Sequence, residues 1–140
     1  MTISRRTTLG LALAPLATPA LAQGWPTRPV RCIVPYPPGG PTDLVGRVVA
    51  QRAQQELGQP LVIENKPGAS GTIGSAEVAR AAPDGQVLLV NASAHVIIPH
   101  INRSMPYDAL ADFTPVTNMA MVPLVALVNP RLPVRSLREL

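Results

Sequence analysis

The chain has 140 residues, 46% of them apolar and only 3% aromatic, with a formal charge of +4. Its four aromatics (Trp25, Tyr36, Tyr107 and Phe113) and its arginines, scattered among acids, argue against a nucleic-acid stacking surface. A single cysteine, Cys32, excludes an internal disulfide and a cysteine metal cluster.

Residues 1–22 read as a secretory signal peptide. Arg5-Arg6 opens it, an apolar stretch runs from Leu9 to Leu16, and Ala20-Leu21-Ala22 is a small-x-small cleavage site. The stretch is too short for a bilayer span, and Pro15 and Pro19 break a helix there. The twin arginine fits the Tat type; Thr8, where that signal usually has a large apolar residue, leaves Sec open. Gln23 and not a cysteine directly follows Ala22, so no lipid or other membrane anchor is expected after cleavage, and the expected location is the periplasm. Arg5 and Arg6 leave with the leader, so part of the pI of about 10.2 belongs to it.

Val30-Arg31-Cys32-Ile33-Val34 reads as a buried strand, with Cys32 a core residue and not a nucleophile. A loop follows: Pro35-Tyr36-Pro37-Pro38-Gly39-Gly40-Pro41-Thr42-Asp43. Leu44, Val45, Val48, Val49, Ala53 and Leu57 then recur at helical spacing. Thr42 or Asp43 can cap that helix, and Gly58 lies just past its end. Leu61-Val62-Ile63 is a second strand, and Asn65-Lys66-Pro67-Gly68-Ala69-Ser70-Gly71 a second loop. A small-residue helix is predicted over 72–81, then a turn at Pro83-Asp84-Gly85 and a third strand over 87–90. The alternation predicts an α/β fold with a parallel sheet and right-handed crossovers. Both glycine loops and Asn91-Ala92-Ser93-Ala94-His95 then fall at the carboxyl ends of the strands, where such sheets bind ligands. Beyond Asn102 the chain reads as a loop-rich connection, two further strands over 114–119 and 124–128, and a Ser-x-x-Glu helix start at Ser136. A capped helix without a body points to a fragment or an early stop.

Glycine admits a ligand close to the backbone, and a helix start aims N–H groups at it. Two such loops side by side form a grip for one carboxylate or phosphate without a charged side chain. Asp43 is either a helix cap or a pocket residue, and Ser93 a turn cap or a ligand contact. His95 and His100 lie in a loop without nearby carboxylates, a poor metal site. Lys66 either attracts anions or is merely solvated. The Gly68-x-x-Gly71-x-x-Gly74 spacing is neither a phosphate-binding Walker loop nor the dinucleotide fingerprint, and Gly74 inside the helix points to close packing. Ser70 lacks the Gly-x-Ser-x-Gly spacing and an evident histidine–acid pair, which leaves a secreted serine hydrolase a weak alternative.

The ordered set of Trp25-Pro26-x-Arg28-Pro29, Pro35-Tyr36-Pro37-Pro38-Gly39-Gly40-x-x-Asp43, Glu64-Asn65-Lys66-Pro67-Gly68-Ala69-x-Gly71-x-x-Gly74, Ala82-Pro83-Asp84-Gly85, Met105-Pro106-Tyr107-Asp108 and Asp112-Phe113-x-Pro115-Val116 resembles the periplasmic substrate-binding proteins of tripartite tricarboxylate transporters, the Bug family. The resemblance covers nearly the whole chain after the leader. It implies a non-enzymatic, two-lobed, hinged binding protein of the Venus flytrap type that captures a small carboxylate for uptake or sensing. Membrane permease subunits are its implied partners, and no cofactor or metal is implied. By position, the family's backbone grip on the carboxylate falls on Pro38, Gly39 and Gly40 and on Gly68, Ala69, Ser70 and Gly71, with Tyr36 in the pocket wall; Ser70 replaces a frequent glycine. Asp43 and Ser93 complete the candidate set. The family chain is longer, so residues 23–108 are expected to form an incomplete first lobe and 109–140 the hinge crossover and start of a truncated second lobe. A non-functional truncated product is the alternative.

Overall fold

In the computed structural model, which describes residues 24–102, 104–123 and 125–140, the central strand β1 is Val30–Val34. It pairs in parallel with β2, Leu61–Asn65, on one side and with β3, Val87–Leu89, on the other. Cys32 stands opposite Ile63 and Leu88 in the two registers. A strand flanked on both edges and covered on both faces is mostly apolar, and its one charge, Arg31, is paired. Accordingly Val30, Cys32, Ile33 and Val34 are all buried. Burial pushes the Cys32 thiol up to about 11, which leaves it an inert core residue.

Helix α1, Pro41–Leu57, packs on the face that carries Val30, Cys32 and Val34, together with Leu61, Ile63, Leu88 and Val90. Met119 reaches this core from the far end of the chain. Helix α2, Thr72–Ala79, covers the opposite face, where Arg31 on β1 bonds Glu77 at 2.8 Å and Glu64 on β2 at 2.7 Å. Adjacent strand residues point to opposite faces, so Val30 and Arg31 define the two sides. Strand order β2-β1-β3 with right-handed crossovers demands this arrangement. The chain leaves β1 toward one edge and returns to the other, so the crevice between the β1 and β3 ends is a topological switch point.

Helix α1 starts earlier than the expected cap at Thr42 or Asp43. Gly40 precedes the first turn and Pro41 occupies it, where a fixed φ and a missing N–H do no harm. Gly58 ends the helix in the left-handed region, φ 69°, its N–H donating to Gln54 O at 3.0 Å. Helix α2 stops at Ala79, two residues short of the expected end; Pro83 disfavours helical geometry at Ala82 just beyond. The third strand ends at Leu89 and not at Val90, although the Val90 N–H still donates to Ile33 O.

Three expectations fail. His95 and His100 lie not in a loop but on helix α3, Ala94–Ile101. Its Pro99 sits near the carboxyl end, where it removes one intrahelical bond without breaking the remaining turn. Conversely, 114–119 forms no strand, and neither do the described residues of 124–128. Val116, Met121, Val125 and Leu127 are 73–88% exposed. Pro115 and Pro123 lack the N–H a ladder needs. At Ser136 a turn forms instead of a helix: Glu139 accepts from Ser136 Oγ at 3.1 Å and from the Arg135 N–H at 2.8 Å. The leader expected over 1–22 lies outside the described residues.

Candidate ligand site at the glycine loops

The first loop is held from behind. Asp43, in the first turn of α1, is 2% exposed, and its carboxylate reaches back to the Gly39 N–H. Its carboxylate accepts from Arg47 Nε at 3.0 Å, the Gly39 N–H at 2.9 Å and Asn65 Nδ2 at 2.9 Å. The Arg47 guanidinium, then these two donors, hold the Asp43 carboxyl down at about 2. Asn65, the last residue of β2, also donates to Tyr36 O at 3.2 Å and accepts from Arg47 Nη2 at 2.9 Å. Gly39 takes a φ of +83°, whereas Gly40, at φ −75°, is in ordinary extended backbone.

The second loop turns through four consecutive positive φ values: Gly68 at 134°, Ala69 at 46°, Ser70 at 56° and Gly71 at 92°. Two of these residues carry side chains, and left-handed backbone costs such residues about 1–2 kcal/mol each. Strain of this kind is kept where the surroundings over-determine it, often at ligand clamps. Here Gly71 presses on the first loop: a Cβ on it would lie 3.5 Å from Pro35 O and Tyr36 Cε1. One turn into α2, a Cβ on Gly74 would come within 2.9 Å of Lys66 O and Pro35 Cβ, which is the close packing its spacing suggested. Lys66 is neither an anion lure nor simply solvated; its ammonium is paired with Glu77 at 2.6 Å.

The end of β3 closes the third side. Tyr36 donates its hydroxyl to Asn91 Oδ1 at 2.7 Å, and the same oxygen accepts from the Ala92 N–H at 2.7 Å. Asn91 Nδ2 reaches Ser75 Oγ on α2 at 3.5 Å. Partial burial raises the Tyr36 phenol. Just beyond, His95 bonds Ala109 O at 3.0 Å and forms a three-ring cluster, edge-on to Phe113 and parallel to Tyr107, which is itself edge-on to Phe113. Ser93 opens α3 without a side-chain cap bond, and it lines a cleft of about 630 Å³ with Thr42, Asn91 and residues 117–122.

The structure thus brings Pro35 and Tyr36 of the first loop against Gly71 of the second, with Asp43 bonded behind Gly39; a Cβ on Gly39 would meet nothing within 4 Å, one on Gly40 only Pro37 O, and one on Gly68 only Ile73 of α2. Ser93 stands apart, on the cleft. Two expected anion donors are already engaged: the Gly39 N–H with Asp43, and the Gly71 N–H with Gly68 O at 2.9 Å. Pro38 has no N–H. The Thr42 and Asp43 N–H groups, in the first turn of α1, have no intrahelical acceptor. Sequence reasoning passed over Asn65, Asn91, Arg47 and Ser75. Asn65 ends β2 and Asn91 lies two residues beyond β3, a signal the pattern contained. His95 bonds Ala109 O through Nε2, and among the described residues it makes no hydrogen bond to Ser70. Among the described residues no three His, Cys, Asp or Glu side chains gather to hold a metal.

Known proteins resemble the chain in sequence and fold. Residues 45–140 match the "Tripartite tricarboxylate transporter family receptor" description. The chain is 42% identical over 132 residues to Protein BugT of Bordetella pertussis, covering 93% of this chain and 40% of that one. It therefore spans about two fifths of the length of the curated relatives it matches. A solved structure of a periplasmic transporter superposes with TM-score 0.65 at 49% identity, over 68% of this chain and 32% of that one. The MatC protein of Rhodopseudomonas palustris, solved with bound malate, superposes with TM-score 0.57 at 40% identity, over 66% and 32%. The fold is a parallel-sheet α/β portion of a periplasmic binding protein, and the chain belongs to the receptor family of the tripartite tricarboxylate transporters, a family of substrate-binding receptors and not of enzymes.

Proposed function

We propose that the chain contributes one wall of an extracytoplasmic site for a small carboxylate, with Tyr36, Pro38, Gly39, Gly40, Gly68, Ala69, Ser70 and Gly71 facing the ligand. The observation that carries this reading is the left-handed run Gly68–Gly71 seated against Tyr36 at the strand ends. Malate bound to MatC makes a dicarboxylate the natural first probe. The anion is held by backbone dipoles at loop and helix starts, since Lys66 is spent on Glu77. Ser93 borders the cleft from the start of α3 and is a distal contact. Residues 23–108 act as the first lobe and 109–140 as the crossover toward a second; the exposed apolar residues between 116 and 128 fit that role. Export by the leader to the periplasm, and delivery of the ligand to membrane permease subunits, complete the reading. Calorimetric titration with malate tests it. Gly71→Val, strained at φ 92° and aimed at Tyr36, is expected to weaken binding roughly ten- to a hundred-fold, and Lys66→Ala to change it little. Loss of binding in Lys66→Ala with normal binding in Gly71→Val would sink the backbone account.

A further inference from the structure

We propose that Asp43, Arg47 and Asn65 form a latch that fixes the first glycine loop against the end of β2 and thereby sets the affinity of the carboxylate site. This rests on the reading of the two loops as that site. The three side chains close a ring: Asp43 to Arg47 at 3.0 Å, Arg47 to Asn65 at 2.9 Å, and Asn65 to Asp43 at 2.9 Å. From the ring two bonds reach the loop backbone, one to the Gly39 N–H and one to Tyr36 O. These grip both ends of the segment Tyr36-Pro37-Pro38-Gly39, and prolines stiffen the span between them. Asn65 also begins the second loop, so the same ring ties one loop to the other.

Asp43 is thus a positioning residue and not a ligand contact. Its carboxylate lies within the protein, engaged by three donors, and Arg47 balances its charge. A second carboxylate placed directly on it would be repelled. What the latch does instead is hold the loop in one conformation before the ligand arrives, so that less ordering opposes binding.

The test uses the full chain, with hydrogen exchange at the Gly39 amide and calorimetric titration with malate. Asn65→Ala removes a residue that does not touch Gly39. If the ring acts as a unit, this variant and Asp43→Asn both speed exchange at Gly39 by at least about tenfold and weaken malate binding by about as much. If Asp43 is merely a helix cap, only Asp43→Asn speeds exchange, and that result overturns the latch. Arg47→Ala, at a half-exposed position, repeats the test should Asn65→Ala fail to fold, with the same outcome expected. Faster exchange in all variants with unchanged malate affinity would also overturn the proposal. No malate binding by the unaltered chain, with exchange still coupled through Asn65, would instead place the failure in the functional reading and withdraw the affinity half of the proposal with it.

Discussion

At the scale of single residues, Asp43 carries a direct electrostatic consequence. Its carboxyl is held at about 2 by Arg47, the Gly39 N–H and Asn65, against an unfolded value of about 3.9. A lowered carboxyl stabilises the fold fully above the unfolded value, and that contribution is lost as pH falls through the folded one. Urea melts between pH 6 and pH 2 are expected to show stability falling below about pH 4, with the slope reduced in Asp43→Asn; an equal slope in both proteins would refute the assignment. Gly74 makes a steric prediction of the same kind. Its missing Cβ would meet Lys66 O and Pro35 at 2.9 Å, and backbone does not swing aside as a side-chain end does. Gly74→Ala is expected to destabilise by about 1–3 kcal/mol, read as a lower melting temperature. Gly74 was legible in the sequence because its place within the helix left packing as its use. The role of Asp43 was legible only as an alternative between cap and pocket, since the third partner, Asn65, lies 22 residues away and only the β1–β2 pairing brings it near.

At the scale of elements, period and punctuation carried the three strands and the first two helices. Their boundaries moved where prolines intervened, at Pro41 and ahead of Pro83. Helix α3 was read as a loop, although Val96, Ile97 and Ile101 keep a helical spacing around Pro99. The strands expected over 114–119 and 124–128 illustrate the opposite error. An apolar alternation states only that a segment can pair; it does not supply the partner. Mutational cost separates these cases. Ile33 is fully buried on β1, and Ile33→Ala is expected to cost about 2–5 kcal/mol in denaturant melts. Val116, 82% exposed, is expected to tolerate alanine within about 0.5 kcal/mol. A large loss at Val116 would mean that 114–119 is paired in solution after all.

At the scale of the whole molecule, the sheet and the surface pull in different directions. Three parallel strands give one well-buried face, Val30, Cys32, Val34 and Val90, and a second where only Ile33 is covered beside the Arg31–Glu64–Glu77–Lys66 ion network. Both outer strands are open along their far edges among the described residues, and open edges of parallel sheets invite pairing with another chain. The stretch between 116 and 128 adds a contiguous series of exposed apolar side chains at Val116, Met121, Val122, Val125, Leu127 and Val128. Exposed apolar surface gathered in this way drives association, because each Å² removed from water is worth about 25 cal/mol. The chain is therefore expected to self-associate in a concentration-dependent way at neutral pH. Sedimentation velocity should show species larger than a monomer, and the double substitution Met121→Lys with Leu127→Lys should shift them toward the monomer without lowering the melting temperature, since neither residue is in the core. A sharply melting monomer at all concentrations would show that this segment finds cover within its own chain, and the same measurement on the double variant would then reveal the lost contact as reduced stability.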